Sequence, residues 1–243
     1  MQRKAEVMTI QISDSFLGGG DFSPGFRVTV EPGKFNIRDA RIEELVRGKR
    51  VVDVGFLDSG SIEEKISSGA WLHMKVRNSS ARAIGVDVDG PGIDQVKEMC
   101  EIDALCADLS STTPRELVEF RPEIVLCADV IEHVPDPLAF LRGVVKLAAI
   151  CESQVVVSVP NYAALPSVRG VLRNEERVNS DHRFYFSPFT ISKLMWDAGL
   201  RAQTLELVAS YEGRPNLAPK IRRFLLRRFP LLRDTCLVVA DVR

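Results

Sequence analysis

The stretch RVVDVGFLDSG at residues 50–60 contains the strand-and-glycine pattern on which the fold prediction rests. Its β-branched residues lead into Asp53 and then Gly55, which is typical of a buried strand that ends where backbone approaches a ligand. Residues 85–89, GVDVD, repeat the pattern, and Asp87 is placed there to accept hydrogen bonds from a ribose diol. Ligands of open α/β sheets bind beyond the carboxyl ends of the strands. The two stretches therefore predict a nucleoside-containing cofactor at one edge of a parallel sheet.

The composition is that of an ordinary globular protein. The 243 residues are 45% hydrophobic and 27% charged, which suits one large α/β domain with a substantial core. A net charge of −1 gives no overall attraction to nucleic acid or membrane and argues against a nucleic-acid substrate. Five scattered cysteines indicate reduced thiols rather than a disulfide framework. Without a signal-peptide pattern or an apolar run of about 20 residues, a cytoplasmic location is expected.

Strand-like and helix-like segments alternate along most of the chain. Strands are predicted at 50–54, 82–87, 103–106, 123–128, 153–159, 202–209 and 235–242. Helices are predicted near 69–78, 92–100, 113–120 and 137–149, with another between Ser187-Pro188 and Gly199. This alternation predicts an α/β fold with a doubly wound, mostly parallel seven-stranded sheet.

The first 48 residues do not follow this alternation, so the chain is divided into a lead-in and a main domain. Residues 1–48 are predicted to form a lead-in, with short strands at 7–12 and 26–30 and a helix capped by Asn36. Residues 49–243 are predicted to form the main domain, with an insertion at 211–234. The segment 56–69 is expected to be a polar loop over the cofactor site.

Several later motifs resemble those of class I S-adenosylmethionine-dependent methyltransferases. They are DVIEHVPDP at 129–137, SVPN at 158–161 and DHRFYFSP at 181–188, together with CADL at 106–109 and the strand ends quoted above. The resemblance covers about residues 50–242 and implies a Rossmann-like fold and methyl transfer from S-adenosylmethionine.

The acceptor is a separate question, and three hypotheses remain open. The loop that begins with Gly55-Phe56 and the sequence WLH at 71–73 resemble a subgroup found in glycan and polysaccharide gene clusters. This resemblance implies that the acceptor is a sugar hydroxyl on a glycan or glycolipid. The second hypothesis is a small-molecule O-methyltransferase acting on a quinone-type or phenol-type acceptor. The third is a non-catalytic module that keeps the cofactor fold for an interaction.

The resemblance also implies a cofactor site built from the strand ends. Asp53 and Gly55 would hold the methionine part, Asp87 the ribose hydroxyls, and Asp108 the adenine amino group. The complete expected set also contains Phe56, Val88, Leu109 and Asp129. The family's loop is usually Asp-x-Gly-x-Gly-x-Gly, whereas residues 56–59 here are Phe-Leu-Asp-Ser, so this loop must take another path.

The expected chemistry centres on Asp129-x-x-Glu132-His133 at the end of the fourth strand. Carboxylates with imidazole suit Mg²⁺ or Mn²⁺, and the resemblance implies His182 as a further ligand. A cation there would polarise the acceptor hydroxyl. The alternatives are that His133 is a metal-free general base, assisted by Glu132 and His182, or that these residues shape the loop. His73 lies in an apolar helix and is expected to be a core histidine.

Residues 220–229 form a second pattern of interest. Helical spacing places Ile221, Phe224, Leu225 and Phe229 on one face and four arginines on the other. A basic amphipathic helix is typical of contact with an anionic membrane or a phosphorylated acceptor, and equally of a helix packed on a sheet. A peripheral membrane contact is therefore one of two predictions for this segment.

Overall fold

A computed structural model of the protein describes residues 10–30, 34–58, 61–210 and 218–243 and confirms the α/β fold. Its strands are β1 (Arg50–Val54), β2 (Arg82–Asp87), β3 (Asp103–Cys106), β4 (Ile124–Ala128), β5 (Gln154–Pro160), β6 (Leu200–Val208) and β7 (Thr235–Val242). They form one sheet in the order β3-β2-β1-β4-β5-β7-β6, in which only β7 runs antiparallel to its neighbours. The carboxyl ends of the first five strands therefore share one edge.

Helices cover both faces of this sheet. They are α1 (Asp14–Leu17), α2 (Arg38–Val46), α3 (Ile62–Ser67), α4 (Leu72–Ser79), α5 (Gly90–Met99), α6 (Arg115–Phe120), α7 (Pro137–Cys151), α8 (Leu165–Val171), α9 (Pro188–Ala198) and α10 (Ala218–Arg228). A short 3₁₀ helix follows at Pro230–Leu232. Asp89, Asp136 and Ser187 cap α5, α7 and α9 by accepting a hydrogen bond from a backbone N–H of the first turn.

The strand residues alternate between two cores, one on each face. In β4, Val125 and Cys127 point towards α7 and α9, whereas Ile124 and Leu126 point towards α2 and α4. Both faces of the central strands are buried, which explains their nearly continuous apolar sequences.

The lead-in differs from its prediction. Residues 10–12 and 26–30 are not strands, and residues 7–9 lie outside the described residues. Instead, Ile10 enters the core and its N–H donates to the Leu205 carbonyl at 3.1 Å. Asn36 does not cap α2 either: Ile37 occupies that position, and the Asn36 side chain donates to Glu206 at 3.0 Å. Tertiary contacts outweigh the local pattern in this region.

Two other segments differ from their predictions in secondary structure. The segment 56–69 contains a helix, α3, rather than only a loop, and the helix expected near 69–78 begins at Leu72. Gly69 has φ of +67°, a left-handed conformation that separates the two helices. Residues 59–60 and 211–217 lie outside the described residues. The proposed division at residue 48 stays a prediction, although Ile42 of the lead-in shares a core with the sheet.

Helix α7 packs closely against the segment that follows β3. A Cβ added to Gly143 in α7 would clash with the backbone carbonyl of Leu109. Since a backbone carbonyl cannot rotate away as a side chain can, only glycine fits here. Gly143 thereby fixes the position of residues 108–109, which belong to the expected cofactor site.

We expect Gly143→Ala to lower the free energy of unfolding by about 1–3 kcal/mol because of overpacking. A decrease in the free energy of unfolding would be informative, because alanine is otherwise favoured over glycine in a helix by about 1 kcal/mol. Gly90→Ala in α5 is the matched control, because its Cβ would meet only the Cys106 sulfur at 3.5 Å. Urea denaturation of both variants measures the effect. Equal stabilities of the two would contradict the close contact.

Candidate active site

The edge at which β1 ends carries the first two expected cofactor residues. Asp53 is buried at the end of the strand, and Gly55 follows with φ of +69°. A Cβ on Gly55 would clash with Val130, in the segment after β4. Gly55 is therefore required both by its backbone conformation and by close packing. The close contact between Gly55 and Val130 requires the ends of β1 and β4 to lie near each other.

Asp53 is paired with a residue that the sequence did not link to it. The His73 Nδ1 and an Asp53 carboxylate oxygen are 2.8 Å apart, and both side chains are buried. No partner for the His73 Nε2 lies within the described ranges. His73 is therefore buried, as expected, but it is a partner of the β1 carboxylate rather than only a packed side chain.

Aromatic side chains fill the space beneath the loop that follows β1, which lacks the family's usual glycines. The Phe56 ring packs on Gly85 of β2, where a Cβ would meet it at 2.7 Å, and lies 4.7 Å from the His73 ring. The Trp71 indole N–H donates to the Phe56 carbonyl at 2.9 Å. Because its side chain is buried, Phe56 can reach a cofactor only through its backbone. The loop is thus supported by aromatic packing.

Asp87 lies at the end of β2, as predicted, and two backbone N–H groups orient it. Leu57 and Asp89 donate to its carboxylate oxygens at 3.3 and 3.1 Å. Burial raises the pKa of Asp87. The neighbouring Val88 side chain is 69% exposed, which leaves an open apolar surface beside the carboxylate.

Asp108 follows β3 and is held by the next turn. It accepts hydrogen bonds from the Ser110 hydroxyl at 2.7 Å and the Ser110 N–H at 2.8 Å. The hydroxyl contact lowers the pKa of Asp108, so the group is ionised at neutral pH. The Leu109 side chain is buried, so only its backbone faces the site.

Asp129 is bonded to residues other than those that the sequence pattern suggested. It has φ of +55°, accepts a hydrogen bond from the Ser158 hydroxyl at 2.8 Å, and pairs with the Arg38 guanidinium. Residues 131–133 form a turn rather than a helix, so Asp129 does not stack above Glu132. The predicted four-residue metal set is therefore not assembled as one group. Arg38, at the start of α2, was missed because its partner is distant in sequence.

The other three members of that set do meet. Glu132, His133 and His182 each place one potential ligand atom so that all three atoms lie within 4.8 Å of one another. The two imidazole rings have centroids 4.7 Å apart in an edge-to-face arrangement. The His133 Nδ1 lies 2.8 Å from Asp181, which leaves Nε2 free for a ligand or proton.

Backbone contacts bring His182 to this place across 50 residues of sequence. The Arg183 N–H donates to the Glu132 carbonyl at 2.8 Å, and the Arg183 side chain donates to the His133 carbonyl at 2.9 Å. The segment 181–183 therefore lies along the turn that follows β4.

Burial favours the neutral forms of two members of this cluster, Glu132 and His182. Glu132 is buried, and neither of its carboxylate oxygens has a partner among the described residues. Burial raises the pKa of Glu132 to about 7. Burial, followed by the nearby His133, lowers the pKa of His182. An unpartnered buried carboxyl beside two imidazoles fits the donor set of a divalent cation.

The segment after β5 borders the same edge. The buried Asn161 amide donates to the carbonyls of Leu231 and Arg233 at 2.7 and 2.8 Å, and the Tyr162 N–H donates to the Phe186 carbonyl at 2.9 Å. Asn161 is thus a structural residue, and Phe186 enters the core. Tyr162 and Tyr185 are exposed.

The fold agrees with what comparison with known proteins shows. A profile of the methyltransferase domain family matches residues 37–205, which is more than half of the chain. The chain therefore belongs to the class I S-adenosylmethionine-dependent methyltransferase family, as the sequence resemblance predicted.

The individual proteins that this chain resembles share only a small fraction of its sequence. The ubiquinone biosynthesis O-methyltransferases of Methylococcus capsulatus and Dinoroseobacter shibae are 24% and 26% identical over 65% and 67% of this chain. The matches span 66% and 64% of the lengths of these two proteins. Magnesium protoporphyrin IX methyltransferase from Synechocystis PCC 6803, solved with bound SAH, has a TM-score of 0.50 and 13% identity, covering 84% of this chain and 83% of that one. At such identity a structural match shows the fold alone.

The buried pair at the end of β1 gives a thermodynamic prediction. We expect Asp53→Ala and His73→Ala each to lower the free energy of unfolding by about 3–5 kcal/mol, because each leaves its partner buried and unpaired. The double variant should lose about 1–3 kcal/mol less than the sum of the two. Urea denaturation of the full cycle measures this coupling. The pair His133–Asp181, in which Asp181 is exposed, is the control and should couple by no more than about 1 kcal/mol. Similar coupling in both pairs would contradict the assignment.

Glu132 gives a pH prediction for protein kept in a chelator. Its pKa is about 7 in the folded state and about 4.3 when unfolded, so folding favours the protonated form. Its contribution is therefore complete below about pH 4.3 and is lost as the pH rises through about 7. Relative to Glu132→Gln, the wild-type protein should lose about 3 kcal/mol of unfolding free energy between pH 4 and pH 8. Denaturation curves across this range would disprove the shift if the difference stayed constant.

Proposed function

We propose that the protein is an S-adenosylmethionine-dependent O-methyltransferase that acts on a small-molecule hydroxyl. The observation that carries the proposal is the arrangement at the carboxyl edge of the sheet. Asp53 lies near the carboxyl end of β1, Asp87 ends β2, and Asp108 follows β3, and these strands are adjacent in the sheet. The turn after the neighbouring strand β4 carries Glu132 and His133, and His182 meets them there. The acids that we propose to hold the cofactor and the groups that we propose to accept the proton thus lie on one edge, in neighbouring segments.

The cofactor half of the site fits the residues present. Asp87 is oriented by two backbone N–H groups and can accept from a ribose diol, and Asp108 can accept from an amino group. Exposed Val88 offers an apolar surface for the purine face, and Gly55 supplies the left-handed backbone turn at the end of β1. When bound, S-adenosylmethionine supplies a methyl group on its sulfonium. The protein's part is to align that methyl group with the acceptor oxygen.

The acceptor half must remove a proton from a hydroxyl. His133 is suited to this, because Asp181 fixes its Nδ1 and leaves Nε2 to accept the proton. Asp181 and the imidazole thus form an orienting pair of the kind found in many general-base sites. His182 and Glu132 lie beside His133 and complete the polar wall around the acceptor oxygen.

The same three residues are suited to hold Mg²⁺ or Mn²⁺. The unpartnered Glu132 carboxyl is the observation in favour, since a buried carboxylate needs a compensating charge or hydrogen bond. A divalent cation there would lower the pKa of the acceptor hydroxyl. Asp129, already paired with Arg38, is not included in this proposed ligand set.

The relatives favour one acceptor class over the other. Those reported above are named ubiquinone biosynthesis O-methyltransferases, which supports a phenol-type or quinol-type hydroxyl. The sugar hydroxyl expected from the glycan-cluster resemblance stays a prediction. Its support in the structure is the pair of exposed aromatic residues Phe184 and Tyr185 beside His182, because aromatic faces suit sugar rings.

The first experiment is calorimetric titration with S-adenosylhomocysteine and assay of methyl transfer to catechol and glycan panels. Asp87→Ala should weaken the affinity about ten- to a hundredfold, because it removes a charged acceptor from the diol. Asp94→Ala, an exposed acid on α5, is the matched control and should leave it unchanged. His133→Ala should keep the affinity but lower turnover by about two to four orders of magnitude.

The outcomes separate the competing hypotheses. Absence of binding by the wild-type protein would favour the non-catalytic module. Methylation of glycans but not catechols would restore the sugar prediction. Turnover that stops in a chelator and returns with Mn²⁺ would support the cation. Turnover that persists in a chelator but is lost in His133→Ala would favour His133 as a metal-free base.

A further inference from the structure

The helix α10 presents an unusual face to solvent. Residues 218–232 contain five basic residues and no acidic one, in a chain whose net charge is −1. Ile221 and Phe224 are each 66% exposed, and Phe229 and Leu231 beyond the helix are also exposed. The sequence left two predictions for this face, packing on the sheet or an external contact, and in the structure Ile221 and Phe224 are exposed. Large apolar side chains therefore lie among cations on the surface.

The opposite face of α10 is firmly attached to the domain. Leu226 is fully buried, and Arg222 pairs with Asp234 at 3.1 Å. The buried Arg233 donates to the carbonyls of Leu226 and Leu207 at 3.0 and 2.8 Å. Because the inner face is held in this way, the orientation of the outer face is fixed relative to the sheet.

The cations of the outer face are available for an external partner. Lys220, Arg223, Arg227 and Arg228 are exposed, and no salt bridge in the described part of the chain involves them. Arg227 and Arg228 lie in the last turn, where the helix dipole favours positive charge. Their positive field is therefore not neutralised by the described carboxylates.

The helix also lies at the edge of the sheet that carries the candidate active site. β6 runs parallel to β5, so the connection from β6 to β7 emerges beyond the carboxyl end of β5. The Asn161 side chain, just after β5, is bonded to the carbonyl of Leu231 in the 3₁₀ segment. A partner on α10 would therefore bind near the edge of the sheet that carries the candidate active site.

We propose that the outer face of α10, with Phe229 and Leu231, docks onto a bilayer surface that contains anionic lipids. Charge complementarity selects this partner, since the cations attract anionic headgroups while Ile221 and Phe224 enter the interfacial region. A folded nucleic acid would use the cations but leave the apolar side chains in water. No helix within the described ranges is long and apolar enough to cross a bilayer, so the contact is peripheral. The docking is independent of the proposed methyl transfer.

Vesicle co-sedimentation of the full chain tests the docking. The protein should sediment with mixed phosphatidylcholine–phosphatidylglycerol vesicles, but not with phosphatidylcholine alone, and added salt should release it. Lys220→Glu/Arg223→Glu should lower the affinity at least about thirtyfold. Ile221→Ser/Phe224→Ser should lower it at least about tenfold.

Matched controls come from α7, where Arg142, Lys146 and Ile150 form an exposed row. Arg142→Glu/Lys146→Glu and Ile150→Ser should leave vesicle binding unchanged. Equal losses from the α7 and α10 variants, equal binding to neutral vesicles, or binding insensitive to the α10 substitutions would each overturn the proposal. Binding to single-stranded oligonucleotides at the same salt, with no binding to anionic vesicles, would also overturn it. S-adenosylhomocysteine affinity of the α10 variants, measured in parallel, shows whether the cofactor site remains intact.

Discussion

The hydrogen bond between Asp53 and His73 is the constraint on which the cofactor edge depends. It joins the end of β1 to α4 across a loop that lacks the usual glycines. Phe56 and Trp71 pack around it, so the loop is held by aromatic side chains rather than by flexible backbone. A buried carboxylate without this partner would carry a large desolvation penalty. The aromatic loop and the histidine are therefore best understood as one unit that replaces the glycine-rich turn.

The sequence predicts the sheet well because its strands are buried on both faces. The bounds predicted for β1, β2, β3 and β7 agree with the structure, and α9 begins and ends where Ser187-Pro188 and Gly199 indicate. The lead-in failed because segments such as residues 10–12 depend on contacts with distant strands. Local patterns carry no information about those contacts.

The candidate site shows the same division between local and distant information. The acids at the ends of β1, β2 and β3 were predictable, since each lies at or near the carboxyl end of a recognisable strand. The meeting of His182 with Glu132 was expected only from the family resemblance. Arg38 and His73 were not assigned to the site, because their partners Asp129 and Asp53 lie far away in sequence. The available signals for His73 were its place as a lone polar residue in the apolar stretch near Trp71 and the resemblance carried by WLH at 71–73.

The position of β7 has a consequence for synthesis on the ribosome. β7 lies between β5 and β6, and β6 pairs with no other strand of the described sheet. β6 therefore emerges from the ribosome before its partner strand exists, and the backbone groups that pair with β7 stay exposed until residues 235–242 follow. An unpaired strand of this kind is a template for association with other chains. During translation, the growing chain would thus be most vulnerable to aggregation in the interval between these two strands.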